Sequence, residues 1–304
     1  MRNYFIIIAI SVLLVFSSTI IHADITNSII DSFDFYNHGT KESKQPDIIQ
    51  IDSDTYAIVY NDKSSTDDGV LVTVDISSTG DIASSVTETF VFDPKAKEAS
   101  IVQIDSDTYA IAYNETTGGK TGTLVTVDIS STGDIASSVT ETFVFDNSES
   151  KQPDIIQIDS DTYAIVYYDK NTGGTLVTVD ISSTGDIASS VTETFVFDSN
   201  EVKEPSIVQI DSDTYAIAYN DKDNLDGVLV TVDISSTGDI ASSVTETFVF
   251  DASGDEVKQP DIIQIDSDTY AIAYNDKDNL DGVLVTVDIS STGDIASSVT
   301  ETFV

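Results

Sequence analysis

One block of sixteen residues constrains this chain more than anything else in it. The stretch 47–62, Asp-Ile-Ile-Gln-Ile-Asp-Ser-Asp-Thr-Tyr-Ala-Ile-Val-Tyr-Asn-Asp, returns four more times with small changes. Its first tyrosine therefore stands at Tyr56, Tyr109, Tyr163, Tyr215 and Tyr270. A second block, Ser-Ser-Thr-Gly-Asp-Ile, follows each copy and sets Gly80, Gly133, Gly185, Gly238 and Gly293 at the same period of about 53 residues. Self-similarity at this period marks a repeat architecture, in which each unit buries its apolar face against the next.

One unit reads as four short strands. Residues 48–51 are almost wholly apolar, which predicts a strand buried on both faces. Asp52-Ser53-Asp54 is a tight turn of the kind aspartate side chains favour by bonding their own backbone. In 55–60, Tyr56, Ile58 and Tyr60 alternate with Ala57 and Val59. After a polar loop, Val70, Val72, Val74 and Ile76 share one face at period two. Ser78-Thr79-Gly80-Asp81 is a hairpin turn with glycine where φ must be positive. A fourth strand carries Val86, Phe90 and Phe92 on one side. No stretch has helical periodicity, and β-branched and aromatic residues are frequent throughout.

These features predict an all-β chain of tandem four-stranded repeats forming a β-propeller. The blades are expected at about 44–93, 97–146, 151–198, 203–251 and 258–304. Residues 24–35 align without a gap with 81–92, so a lone outer strand (24–36) precedes the first full unit. The last copy has its own fourth strand and stops short of the Phe-Asp that ends the others, which suggests an incomplete ring and a fragment of a longer protein. The units, with their Asp-Thr-Tyr-Ala-Ile-Ala-Tyr, Asp-Gly-Val-Leu-Val-Thr and Ser-Thr-Gly-Asp-Ile motifs, resemble the propeller-type repeats of secreted archaeal surface proteins. That resemblance implies the propeller fold and says little about activity.

Residues 1–23 have the pattern of a secretory signal peptide: Arg2, an apolar run from Phe5 to Phe16, and Ala23 before the cleavage point. The expected location is therefore extracellular or at the cell surface, with no membrane insertion after cleavage. The remainder holds twelve lysines against 53 acidic residues, with no arginine and no cysteine. Such a charge excludes nucleic acid, which needs basic groups to neutralise phosphate, and favours cations. An exported chain without disulfides must rely on its apolar core.

Strand order assigns the loops to two faces. One carries Asp52, Asp54, Asp81 and their equivalents with no lysine. The other carries every lysine and every change of repeat length, and variable loops on a rigid scaffold are where binding usually lives. Lys63, Lys120, Lys170, Lys222 and Lys277, in the second-to-third loops, are the candidate partner-binding residues. The expected partner is an extracellular protein or glycan. Two of those loops, with Asp221, Asp223 and Asp226 and with Asp276, Asp278 and Asp281, loosely resemble calcium loops, although Leu225 and Leu280 stand where an oxygen ligand belongs. Ca2+ is the one cofactor considered.

Catalysis looks unfavourable. The mature chain has His38 as its only imidazole and no thiol, so a Ser or Cys nucleophile lacks a base. A pair of carboxylates could hydrolyse glycosides, but that chemistry needs two unequal acids, and the expectation is that every carboxylate repeats round the ring. The expectation is a secreted or cell-surface binding or adhesion module without activity of its own. The alternatives are an envelope protein self-associating through divalent cations, or the non-catalytic part of a longer exported enzyme.

Overall fold

A computed structural model of the chain describes residues 31–35, 43–63, 67–117, 120–254, 256–277 and 281–304. The signal-peptide stretch, His38, Lys41, Asp278 and Leu280 lie outside them. Every described element is a strand. The first sheet contains β1 (Ser43–Gln50), β2 (Thr55–Asp62), β3 (Asp68–Asp75) and β4 (Glu88–Asp93). The second holds β5 (Ala96–Gln103), β6 (Thr108–Glu115), β7 (Gly122–Asp128) and β8 (Glu141–Asp146), and the third β9 (Ser150–Gln157), β10 (Thr162–Asp169), β11 (Gly173–Asp180) and β12 (Glu193–Asp198). The fourth has β13 (Val202–Gln209), β14 (Thr214–Asp221), β15 (Asp226–Asp233) and β16 (Glu246–Asp251), and the fifth β17 (Val257–Gln264), β18 (Thr269–Asp276), β19 (Asp281–Asp288) and β20 (Glu301–Phe303). Each sheet is an antiparallel meander in chain order. The five stand round one axis as the blades of a five-bladed β-propeller, with β1, β5, β9, β13 and β17 innermost.

The blades are held together by a core that lies between them. Alanine, valine and leucine on the outgoing face of one blade, such as Ala57, Val59 and Leu71, pack against Tyr109, Ile111 and Tyr113 on the incoming face of the next. The same cluster recurs at the next three seams. Each such side chain, fully buried, contributes about 1.5–3 kcal/mol. Polar pins fix the spacing. Thr73 Oγ1 donates to Gly133 O at 2.6 Å, and Thr126, Thr178 and Thr231 repeat the bond to Gly185, Gly238 and Gly293. Gly133 has φ +84°, and a Cβ there would lie 3.1 Å from that threonine oxygen, so the turn needs glycine twice over. Glu88 Oε2 also reaches across to accept from Ile135 N at 2.6 Å.

Residues 31–35 do for blade 1 what a fourth strand does elsewhere. Asp31 Oδ2 accepts from Ile82 N at 2.9 Å, and the Phe35 ring lies 5.2 Å from Tyr60, as Phe92 lies 5.4 Å from Tyr113.

One expectation changes. The innermost strands are not buried on both faces; they begin earlier, at Ser43 and its equivalents, and one side of each borders the axial opening. Lys44, Lys97, Lys151, Lys203 and Lys258 thus lie in these strands. Asn114, which opens an Asn-Glu-Thr tripeptide that resembles a glycosylation site, is buried at the end of β6. The equivalent Asn61 clamps the next blade through Ala96 O at 2.9 Å.

Candidate active site

Each innermost strand carries a bulge. Between Lys44 and Asp47 the register of β1 against β2 slips, and the same slip occurs in the other four blades. The residue at the slip is left-handed without being glycine: Gln45, Glu98, Gln152, Glu204 and Gln259 all have φ between +49° and +56°. A bulge re-aims side chains, and non-glycine residues at positive φ are strained and cluster at functional sites. The bulges turn three consecutive side chains of every blade toward the axis: Gln-Pro-Asp in blades 1, 3 and 5, Glu-Ala-Ser in blade 2 and Glu-Pro-Ser in blade 4.

The result is a funnel of about 380 Å³ lined by these fifteen residues, within the range of small-molecule sites. Its rim is stitched from blade to blade. Gln152 N donates to Glu98 Oε2 at 2.9 Å, Glu204 N to Gln152 Oε1 at 3.1 Å, and Gln259 N to Glu204 Oε2 at 2.6 Å. Its floor holds Asp47, Ser100, Asp154, Ser206 and Asp261. Asp47 Oδ2 accepts from Ile101 N at 2.9 Å. Asp154 accepts from Ser100 Oγ at 3.0 Å and Ile207 N at 2.9 Å. Ser206 Oγ donates to Asp261 at 3.2 Å.

The three aspartates are unequal. Asp154 is half-buried in the funnel lining, and protein packs closely round its carboxyl. Loss of hydration pushes its carboxyl up to about 7, with the negative charges of Asp47 and Asp261 adding to the effect. Burial also raises Asp47, against bonds from Ile101, Ile48 and Ser100. Asp261 is exposed at the funnel wall. Near neutrality the funnel therefore offers, at Asp154, a carboxylic acid that can give a proton.

Next to the rim lies a chamber of about 200 Å³ lined by residues of blades 2 to 5, among them Glu98, Lys151, Gln152, Tyr168, Glu204 and Lys258. Tyr168 replaces the asparagine found at this position in every other repeat. Lys151 Nζ lies 5.7 Å from the centre of its ring. The other repeat tyrosines, such as Tyr109 and Tyr163, are core.

The residues singled out from sequence lie away from the funnel floor. Lys120 and Lys170 pair with Glu149 at 2.8 and 3.2 Å, Lys222 with Glu201 at 3.7 Å, and Lys277 with Glu256; Lys63 is exposed. Asp221 turns inward to accept from Asn224 Nδ2 at 2.7 Å and Asp223 N at 3.1 Å. Burial raises Asp226, Asp276 is buried and Asp281 is exposed. Among the described residues no three carboxylate or imidazole side chains gather as a metal site.

Fold and site together define a five-bladed β-propeller with an acidic axial funnel. The sequence matches no protein-family model and no curated protein sequence. Among solved structures it is similar to an α-L-arabinofuranosidase from Lactobacillus brevis, at 6% identity and a TM-score of 0.50 over 85% of this chain and 94% of that one. It is likewise similar to the GH43_1 enzyme from Xanthomonas citri, at 8% identity, with TM-scores of 0.50 in complex with xylotriose and 0.51 in a further structure of that enzyme. These matches cover 85% of this chain and 90% and 92% of the enzyme. At such identities the likeness is one of fold.

The expectation of a non-catalytic binding or adhesion module is corrected by these findings, and its structural and accessory variants are set aside with it. It rested on the want of a base for a Ser or Cys nucleophile and on the equality of the acids. Glycoside hydrolases share this architecture, and the funnel acids are not equal: they alternate between rim and floor, and burial separates them.

Proposed function

We propose that the funnel is the active site of an exported glycoside hydrolase. The observation that carries this reading is the floor itself, with Asp154 held near 7 among Asp47 and Asp261. Glycoside cleavage needs one carboxylic acid to protonate the leaving oxygen and a second carboxylate to activate water or attack the sugar. Asp154 is the acid. Asp261, open to solvent, is the base that accepts a proton from the attacking water as the bond from the sugar's anomeric carbon to the leaving oxygen breaks. Asp47 does not touch the leaving group in this scheme; its charge helps keep Asp154 protonated. Tyr168 offers an aromatic face to a sugar unit beyond the rim. The neighbours of like fold, named for arabinofuranoside cleavage or bound to xylotriose, suggest pentose-containing glycans as the first substrates to try. Residues 1–23 are taken as the export signal.

The test is hydrolysis of 4-nitrophenyl α-L-arabinofuranoside, 4-nitrophenyl β-D-xyloside and xylo-oligosaccharides from pH 4 to 8. Cleavage should follow a bell-shaped profile whose alkaline limb falls near pH 7. Asp154→Asn should lower the rate by about 10²–10⁴-fold, the usual worth of a positioned acid. If no member of the panel is cleaved, or Asp154→Asn cleaves as fast as the wild type, the reading is wrong.

A further inference from the structure

The chamber beside the rim breaks the repeat twice. Its volume of about 200 Å³ is that of about seven waters at ~30 Å³ each, the bulk of one sugar unit. Tyr168 is the first break. Two of the asparagines at its place in other blades turn into the seams, where Asn61 holds Ala96 O at 2.9 Å and Asn220 holds Val257 O. Tyr168 makes no such bond among the described residues. It is half-buried, lines the chamber and has Lys151 over its ring.

Lys258 is the second. The lysine just before the bulge is paired in three blades: Lys97 with Asp67 at 2.9 Å, Lys151 with Glu149 at 3.2 Å and Lys203 with Glu256 at 3.5 Å. Lys258 holds the same place in blade 5 and lines the chamber half-buried. Among the described residues no carboxylate stands in ion-pair reach of it, and Glu256 acts on it only from further off. The chamber's four glutamates are already engaged. Glu98 and Glu204 accept from Gln152 N and Gln259 N, Glu201 pairs with Lys222 at 3.7 Å, and Glu256 pairs with Lys203 and Lys277. Burial and the neighbouring Lys222 also disfavour the charge on Lys203. A half-buried ammonium without a counter-ion is costly, and a carboxylate brought to it makes a strong, charge-assisted bond. In a chain of net charge −40, an unpaired lysine in such a chamber marks the place of an incoming anion.

We propose that the chamber binds a sugar unit bearing a carboxylate, a uronic acid, with its ring against Tyr168 and its carboxylate on Lys258 Nζ. Taken with the hydrolase reading, on which this substrate assignment rests, the unit in the chamber is joined to the one cleaved in the funnel. Glu98, Gln152 and Glu204 line both spaces, so one oligosaccharide can run from the floor over the rim without leaving the protein. The Tyr168 ring supplies apolar contact to any sugar ring. Lys258 supplies the discrimination, because a neutral sugar leaves its ammonium unpaired. The substrates assigned are therefore pentose-containing glycans branched with uronic acid rather than unbranched chains.

The chain has no tryptophan, so Tyr168→Trp makes the chamber wall its own fluorophore. The full chain, carrying Asp154→Asn to prevent cleavage, is titrated with xylotriose and with xylotriose bearing one glucuronic acid branch. The acidic sugar should shift the emission to the blue and bind about ten-fold more tightly than the neutral one. Lys258→Gln should bring the two within about two-fold while leaving xylotriose binding unchanged, and Lys258→Arg should keep the preference. A silent tryptophan with both sugars overturns the chamber as the site. Equal affinities, or a preference that survives Lys258→Gln, overturn the carboxylate contact. Hydrolysis is scored apart, with Tyr168 and Asp154 intact and the acidic sugar added to the panel. Binding as expected without cleavage of any member keeps the chamber and overturns the hydrolase reading; cleavage with a silent tryptophan does the opposite.

Discussion

Replacing Asp154 with asparagine should flatten the dependence of stability on pH. The folded chain holds Asp154 at about 7 against an ordinary value of 3.8, because surrounding protein keeps water from its charged form and Asp47 and Asp261 repel that charge. The bonds from Ile207 N and Ser100 Oγ favour the charged form and are outweighed. Between pH 4 and 7 the folded state therefore keeps a proton that the unfolded chain has released. By linkage, stability falls as pH rises through this window and levels off above it. A gap of about three pH units, at about 1.4 kcal/mol each, is about 4 kcal/mol. That is close to the whole stability of a marginal domain, about 5 kcal/mol. Asp47 is raised for the same reason, so the two titrate as a coupled set and the wild-type slope contains both. Asparagine is nearly isosteric, can still accept from Ser100 or Ile207, and carries no charge. Urea unfolding, followed by tyrosine fluorescence from pH 4 to 8.5, measures the difference. The variant should lose about 3–4 kcal/mol less than wild type across that range. Parallel curves would mean that Asp154 is already ionised in the folded chain at neutral pH, and the burial argument would fall with the acid role.

Two further outcomes follow from the seams and the outer loops. Lysines 120, 151 and 170 hold the Glu149 carboxyl down at about 2. Its contribution is thus present above the ordinary carboxylate range and lost as pH falls through about 2, and Glu149→Gln should cost about 1 kcal/mol at pH 6 but nothing at pH 1.5, read by thermal melts. Thr178→Val removes the donor to the Gly238 carbonyl, 2.6 Å away and buried, and should cost about 1–3 kcal/mol in urea titration, whereas an exposed strand threonine such as Thr194 should be neutral to the same change.

The period, the strand count and the turns were legible in the sequence because each rests on local geometry. Asp52 caps Ser53 N at 2.7 Å as its position in the turn predicts, and Gly80 sits at φ +86°. The funnel was not legible, for a different reason. Comparing repeats for sameness hides the positions where they differ in step, and the chemistry lies there. Gln-Pro-Asp and Glu-Xaa-Ser take turns from blade to blade, with one carboxylate per blade at alternating depth. A proline repeated inside a strand was the available signal, since it marks an edge or a bulge. What no sequence pattern supplies is the burial of Asp154, which arises only where five blades converge.

The alternation has a consequence that depends on parity. Two kinds of blade can alternate indefinitely round an even ring, but five places cannot be filled without like meeting like once. Blades 5 and 1 both carry the Asp-bearing kind, so no serine comes between Asp261 and Asp47 in the order round the axis, as Ser206 stands beside Asp261 and Ser100 beside Asp154. Duplication that makes near-copies thereby yields a ring with one distinguishable position. A ligand on the axis of five equal blades could bind in any of five rotations; the odd count gives this axis an origin, and so a single orientation to select.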